Sequence, residues 1–238
     1  MKNIALSIVA LGAVAVSQAQ AVLIMPDSTN NRLVSFSAFD GSVINSNVFG
    51  LAGGTQIHAM QVGTEIWVSE QVGDRVSRWS GTGTSLGAVT GGLDNIRGMG
   101  LIGSTVYVTN AGTNNSAPGP VVRMFDTNGA SLGHFLTPNA PSPFGILAHQ
   151  GGMLVSSSSA NDDVHRYSTA GTSLGTFHNS TSLNFGEQMD YDVNGNVLVA
   201  GFSSNNVVRL DPNSGAVVGS FTAAGARGVR QLGNGNIM

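Results

Sequence analysis

Residues 162–177 read DDVHRYSTAGTSLGTF, and close copies of that stretch recur along the chain. Residues 71–89 read QVGDRVSRWSGTGTSLGAV, 119–135 read GPVVRMFDTNGASLGHF, and 205–221 read NNVVRLDPNSGAVVGSF. A looser copy, NNRLVSFSAFDGSVINSNVF, covers 30–49. Self-similarity at a regular period means stacked units, each needing a neighbour to bury its apolar face.

Working outward, each copy follows a three-residue apolar string. The strings begin at Leu23, Ile66, Val106, Met153 and Val197, so they recur every 40 to 47 residues. After the string comes a polar loop, then the strand carrying Val-x-Arg, then a Gly-containing turn and a third strand. A fourth strand follows a variable loop, at 57–62, 96–102, 144–148, 188–192 and 228–232. Asn194-Gly195-Asn196, Asn234-Gly235-Asn236 and Gly151-Gly152 supply reversals with the positive φ that Asn and Gly tolerate, as do Asn128-Gly129 and Ala170-Gly171. No apolar pattern at a 3.6-residue spacing persists beyond two turns after residue 21. Four short strands per repeat, with no helix signal, predict an all-β chain: a β-propeller of four-stranded blades, five of them visible. The terminal Ile237-Met238 aligns with Val197-Leu198, which favours a sixth blade cut short at the carboxy terminus. Closure at five blades by the strand 228–232 is the alternative.

The amino terminus differs from the rest. Lys2 precedes an apolar run from Ile4 to Val16, and Ser17-Gln18-Ala19-Gln20-Ala21 ends in an Ala-x-Ala site. That is the pattern of a secretory signal peptide over 1–21, leaving 22–238 as one propeller domain in an exported, periplasmic, secreted or cell-surface protein. With no Cys, no disulfide contributes to stability. The chain carries a formal net charge of −3, and Lys2 is its one lysine. A weakly acidic surface argues against a nucleic-acid partner, and no later run is apolar enough to span a membrane. A monomer is expected.

Two motifs resemble chemistry and are read as structure. G-x-S-x-G occurs at 83–87, 129–133 and 171–175, each time in a hairpin, whereas a nucleophile elbow needs a strand running into a helix. Gly98-Met99-Gly100-Leu101-Ile102-Gly103 has no following helix on which to seat a pyrophosphate. Arg78, Arg123, Arg166 and Arg209 each lie two residues after a Val, which predicts one shared repeat position facing the neighbouring blade.

The functional candidates are the positions where the repeat breaks. His58, Arg97, Phe144, Glu187 and Arg227 stand at the start of the fourth strands, so equivalent blades would set them round one mouth of the central channel. Such a mouth suits a small ligand, and this mixture suits an anionic or sugar-like one. Alternatively, Glu187 pairs with Arg97 or Arg227 and the ring plugs the channel. The polar loops 70–74, 110–116, 156–163 and 203–206 should lie on the same face, with a content suited to carbohydrate or a weak Ca²⁺ site.

The residues Ile66-Trp67-Val68-Ser69, Asp74-Arg75-Val76, Trp79, Leu86-Gly87 and Arg97-Gly98-Met99 resemble the NHL-repeat pattern. More broadly the chain is similar to the SMP-30-like, strictosidine-synthase-like and YncE-like six-bladed propellers. The resemblance implies either an exported module binding a small molecule, a carbohydrate or a protein, or a metal-dependent hydrolase or lactonase. In the second case Glu187 is the catalytic candidate and Glu187 with Asp190 the metal ligands. That pair is a small carboxylate set for Ca²⁺, so the binding module, with no cofactor and no catalytic residue, is the leading expectation. His149, His165 and His178 fall at non-equivalent positions and predict no zinc triad.

Overall fold

In the four later repeats the apolar string becomes the second strand of its blade, its side chains largely buried on both faces as suits a central strand. The computed structural model describes residues 21–159 and 164–238. Apart from Ala21, the expected signal peptide lies outside the described residues, as does part of the loop 156–163.

The fold is an all-β, five-bladed propeller with four-stranded blades, of which the first shows three strands. That first blade contains β1 (Val22–Asp27), β2 (Arg32–Ser37) and β3 (Val43–Gly50). The second runs outward from β4 (Gln56–Val62) through β5 (Glu65–Glu70) and β6 (Arg75–Ser80) to β7 (Ser85–Val89). The third comprises β8 (Ile96–Ile102), β9 (Thr105–Asn110), β10 (Val121–Asp126) and β11 (Ser131–Leu136). The fourth comprises β12 (Pro143–His149), β13 (Gly152–Ser157), β14 (Val164–Ser168) and β15 (Ser173–His178). The fifth comprises β16 (Gly186–Tyr191), β17 (Val197–Gly201), β18 (Asn206–Leu210) and β19 (Val217–Thr222). All pairings within blades are antiparallel, and β4, β8, β12 and β16 follow one another around the axis.

The segment 228–232 does not join β1, which is an edge strand of its sheet. It folds instead against the residues after it: Arg230 and Met238 exchange two backbone hydrogen bonds of 2.9 Å, and Gln231 bridges Ile237. This hairpin sits against the β2–β3 turn through Gly233 N to Ala38 O (2.9 Å) and Asn234 N to Phe39 O (2.8 Å).

A separate apolar core fills each space between blades. Leu33, Phe49, Val68 and Trp79 join the first two, and Trp67, Leu93, Ile96, Met99 and Phe125 join the second and third. Tyr107, Phe135, Met153 and Tyr167 join the third and fourth, and Leu154, Phe177, Met189 and Val208 join the fourth and fifth.

The G-x-S-x-G stretches are turn-and-bulge hairpins. Gly83, Gly129 and Gly171 close the turns with φ of +86°, +91° and +86°. Gly87, Gly133 and Gly175 sit at φ of +103°, +105° and +94°, opposite Arg78, Met124 and Arg166, where the register shifts. Both positions need the left-handed region that glycine enters freely.

The shared arginine position needs correction. Arg78, Arg166 and Arg209 face Trp67, Leu154 and Leu198, the middle residues of their apolar strings. Arg123 faces Val108, one step away, and Met124 takes the equivalent place opposite Tyr107. A one-residue slip turns a side chain to the other face. In the third blade, residues 111–120 enter β10 late: Asn110 Nδ2 clamps the carbonyls of Gly112 and Gly119, both at 2.9 Å.

Candidate functional site

The inner strands all begin at one end of the ring, where each is broken by a bulge. Register shifts fall between Gln56 and His58, Ile96 and Met99, Pro143 and Ile146, and Gly186 and Met189. A bulge frees residues from the ladder and re-aims them. Here it leaves carbonyls that the preceding blade satisfies. Ser69 Oγ donates to Arg97 O (2.5 Å), Thr109 Oγ1 to Phe144 O (2.8 Å), and Ser156 Oγ to Glu187 O (2.5 Å). Each hydroxyl also accepts from its own inner strand, from His58 N (3.1 Å), Gly98 N (2.9 Å) and Gly145 N (2.8 Å). In the fifth blade Ala200 holds the hydroxyl position, and Gln188 N donates straight to Arg227 O at 3.3 Å.

This belt assigns the positions. Arg97, Phe144, Glu187 and Arg227 are equivalent, each offering its carbonyl to the blade before it. His58 is equivalent to Gly98 and Gly145 instead, so Ile57 holds the ring position in the second blade. The His58 ring turns toward the neighbouring inner strand, where Nδ1 accepts from Met99 N at 3.0 Å. Burial pushes its pKa down to about 4, so the imidazole is neutral at pH 7.

Glu187 is fully buried. Its Oε1 accepts from Arg227 Nη1 at 3.0 Å, and its Oε2 has no partner. Burial raises the carboxyl to about 7 against the pull of Arg227 and Arg97. Arg97 lies over the Phe144 ring (5.3 Å) and donates through Nη1 to Ser142 Oγ (2.9 Å) and to Ser158 Oγ. Its Nε is buried without an acceptor, and burial lowers its pKa. Arg227 is 57 % exposed and stacks on Phe202 at 4.1 Å. The mouth therefore presents two guanidiniums on aromatic rings around one buried carboxyl.

Two aromatic members were not legible from the repeat. Phe202 follows β17, and Phe185 precedes β16 with φ +62°, a left-handed conformation unfavourable for so bulky a residue. Thr55 and Asn95 hold the same place and hand, at +58° and +53°. In all three the carbonyl receives the first loop amide after the second strand: Gln71 N to Thr55 O (2.9 Å), Ala111 N to Asn95 O (3.4 Å) and Phe202 N to Phe185 O (3.1 Å). Phe185 and Phe202 meet at 5.8 Å. These bonds also hold the polar loops on the mouth face. The loop from Asn110 is tied inward, with Asp94 Oδ2 accepting from Asn114 N at 2.6 Å.

The proposed metal ligands do not fit a divalent cation. Glu187 is engaged by Arg227, and Asp190 accepts from Arg230 Nη1 at 2.7 Å, so an ion would have to displace a guanidinium from each. Among the described residues no three His, Cys, Asp or Glu side chains converge. His149, His165 and His178 stand apart: His149 Nδ1 meets Tyr191 Oη (2.6 Å), His178 Nδ1 meets Gly215 O (2.8 Å), and His165 is buried in β14. No described helix is long and apolar enough to cross a membrane.

No family model and no curated protein matches this sequence. Among solved structures, the chain is similar to a candidate gluconolactonase at TM-score 0.71 and 16 % identity, over 88 % of this chain and 77 % of that one. It is also similar to virginiamycin B lyase from Staphylococcus aureus, at TM-score 0.66 and 13 % identity over 89 % and 71 %. A protein of unknown function from Bacteroides caccae aligns at TM-score 0.63 and 17 % identity, over 86 % and 74 %. At these identities the likeness is one of fold.

Proposed function

We propose that this chain is an exported binding propeller whose mouth, at Arg97, Phe144, Glu187 and Arg227, takes an anionic, hydroxylated ligand. A uronic-acid sugar has that chemistry. The observation that carries the reading is the half-used ion pair. Arg227 is largely exposed on the Phe202 ring, while the Glu187 carboxyl it touches keeps one oxygen unpaired. A ligand carboxylate can pair with the outward guanidinium, which the buried Glu187 carboxyl behind it and the Phe202 ring beneath it hold in place. Titration calorimetry with digalacturonate and with the neutral disaccharide lactose tests it. Saturable binding of the acidic sugar is expected, weakened about tenfold or more in Arg227→Glu by loss of a charge-assisted bond. Unchanged affinity in that variant would move the site elsewhere.

A second reading has its own support. A carboxyl near pKa 7 can give or take a proton at neutral pH, and the fold neighbours include a lyase and a candidate gluconolactonase. In that case the chemistry is metal-independent proton transfer at Glu187. Turnover of a lactone or of a uronide that Glu187→Gln abolishes would favour it over binding alone.

A further inference from the structure

At the end of the ring opposite the mouth, the repeat follows a pairing rule. Where the third strand carries an arginine opposite the middle of the apolar string, the same blade supplies a carboxylate from the hairpin joining its first two strands. Arg78 is met by Glu65, with Nε and Nη2 both donating at 2.8 Å. Arg209 is met by Asp192 at 2.8 Å. The third blade has Met124 in place of the arginine and Gly103-Ser104 in the hairpin, so both charges are missing together. In the first blade Ser35 and Val22 stand in the two places.

The fourth blade breaks the rule. Arg166 occupies the arginine position, but its hairpin is Gln150-Gly151 and holds no acid. The Gln150 side chain turns away, its Nε2 donating to Pro212 O and Asn213 Oδ1, both at 3.0 Å. Arg166 makes no hydrogen bond or ion pair among the described residues, and its Nε is buried without an acceptor. In front of it lies a crevice of about 240 Å³ lined by His149, Gln150, Arg166 and Leu174 among others. His149 is buried, with its Nδ1 engaged by Tyr191 Oη. Burial, and then the Arg166 charge, hold its pKa below the ordinary value, so the guanidinium's field is felt across the crevice.

We infer that this crevice binds a small carboxylate, which supplies to Arg166 the partner that Glu65 and Asp192 supply in their own blades. A guanidinium receives a carboxylate through two parallel N–H donors, and Leu174 offers an apolar wall for a short carbon chain. The site is independent of the mouth, which lies at the other end of the inner strands.

The test is a titration of the full chain with acetate and with succinate, read by the Arg166 side-chain ¹⁵N–¹H resonance. A saturable shift is expected, lost in Arg166→Gln. Gln150→Glu keeps the shape of the turn and installs an internal carboxylate in the lining of the crevice, one residue beyond His149, which holds the place of Asp192. In that variant the Arg166 resonance should start near its ligand-bound position, and acetate affinity should fall about tenfold or more. No saturable shift, or a Gln150→Glu variant that binds as tightly as the parent, would overturn the inference.

Discussion

A carboxylate with no exposed surface has given up its water, and Glu187 recovers only one partner for two oxygens. Its pKa stands near 7 in the folded state against about 4.5 in an open chain. The folded protein therefore holds a proton that the unfolded chain releases between those values, and stability falls as pH rises through that window. The loss is on the order of 3 kcal/mol if the full shift is realised. His58 acts in the opposite sense. Held near 4 against 6.5, it contributes stability that is present above about pH 6.5 and lost as pH falls toward 4. Because the two overlap, the wild-type profile alone does not separate them. Subtracting the Glu187→Gln profile does: the wild type should lose stability relative to the variant from pH 4.5 to 7 and hold level above 7.5, by urea denaturation. A flat difference would mean that Glu187 is charged throughout.

Hairpins between the third and fourth strands contain two glycines with different duties. Gly83 packs on Phe49 so closely that an added Cβ would stand 2.5 Å from that side chain's Cβ, and it also has φ +86°. Gly87, at φ +103°, has open space where its side chain would be. Gly87→Ala should cost about 1 kcal/mol, from backbone strain alone. Gly83→Ala should cost about 3 kcal/mol or more, because strain and overpacking add. Thermal midpoints in that order would confirm the division, whereas equal losses would show that the aromatic yields. The sequence already distinguished these hairpins from a catalytic elbow by their repetition. The register slip at Arg123 was not visible, since counting from the nearest Val assumes that every loop delivers its strand in phase. Asn110 and Asp94 hold residues 111–120 in a course that does not.

From the second blade to the fifth, adjacent blades are joined by apolar cores and by the hydroxyl belt at the mouth. Thr109 is fully buried and serves two blades at once, donating to Phe144 O and accepting from Gly98 N. Thr109→Val preserves shape but strands a buried carbonyl and an amide, so about 2 kcal/mol or more should be lost in urea denaturation. A neutral result would mean that water replaces the hydroxyl. The five visible blades, the strand order inside each and the placement of Arg97, Phe144 and Glu187 at inner-strand starts were legible in the amino-acid order, whereas the expected start of a sixth blade at Ile237-Met238 instead pairs back on 230–231. Period-two alternation and glycine turns are local signals, and they are repeated often enough to be read without a structure. Tertiary structure alone decided what those residues do. The bulges exchanged Ile57 for His58 in the ring and carried Phe202 and a strained Phe185 beside Arg227. Packing between blades buried Glu187, and strand pairing set Arg166 opposite Leu154 beside the crevice. Each of these depends on which blades become neighbours and how far water is excluded between them, and neither quantity is encoded in any one segment of chain.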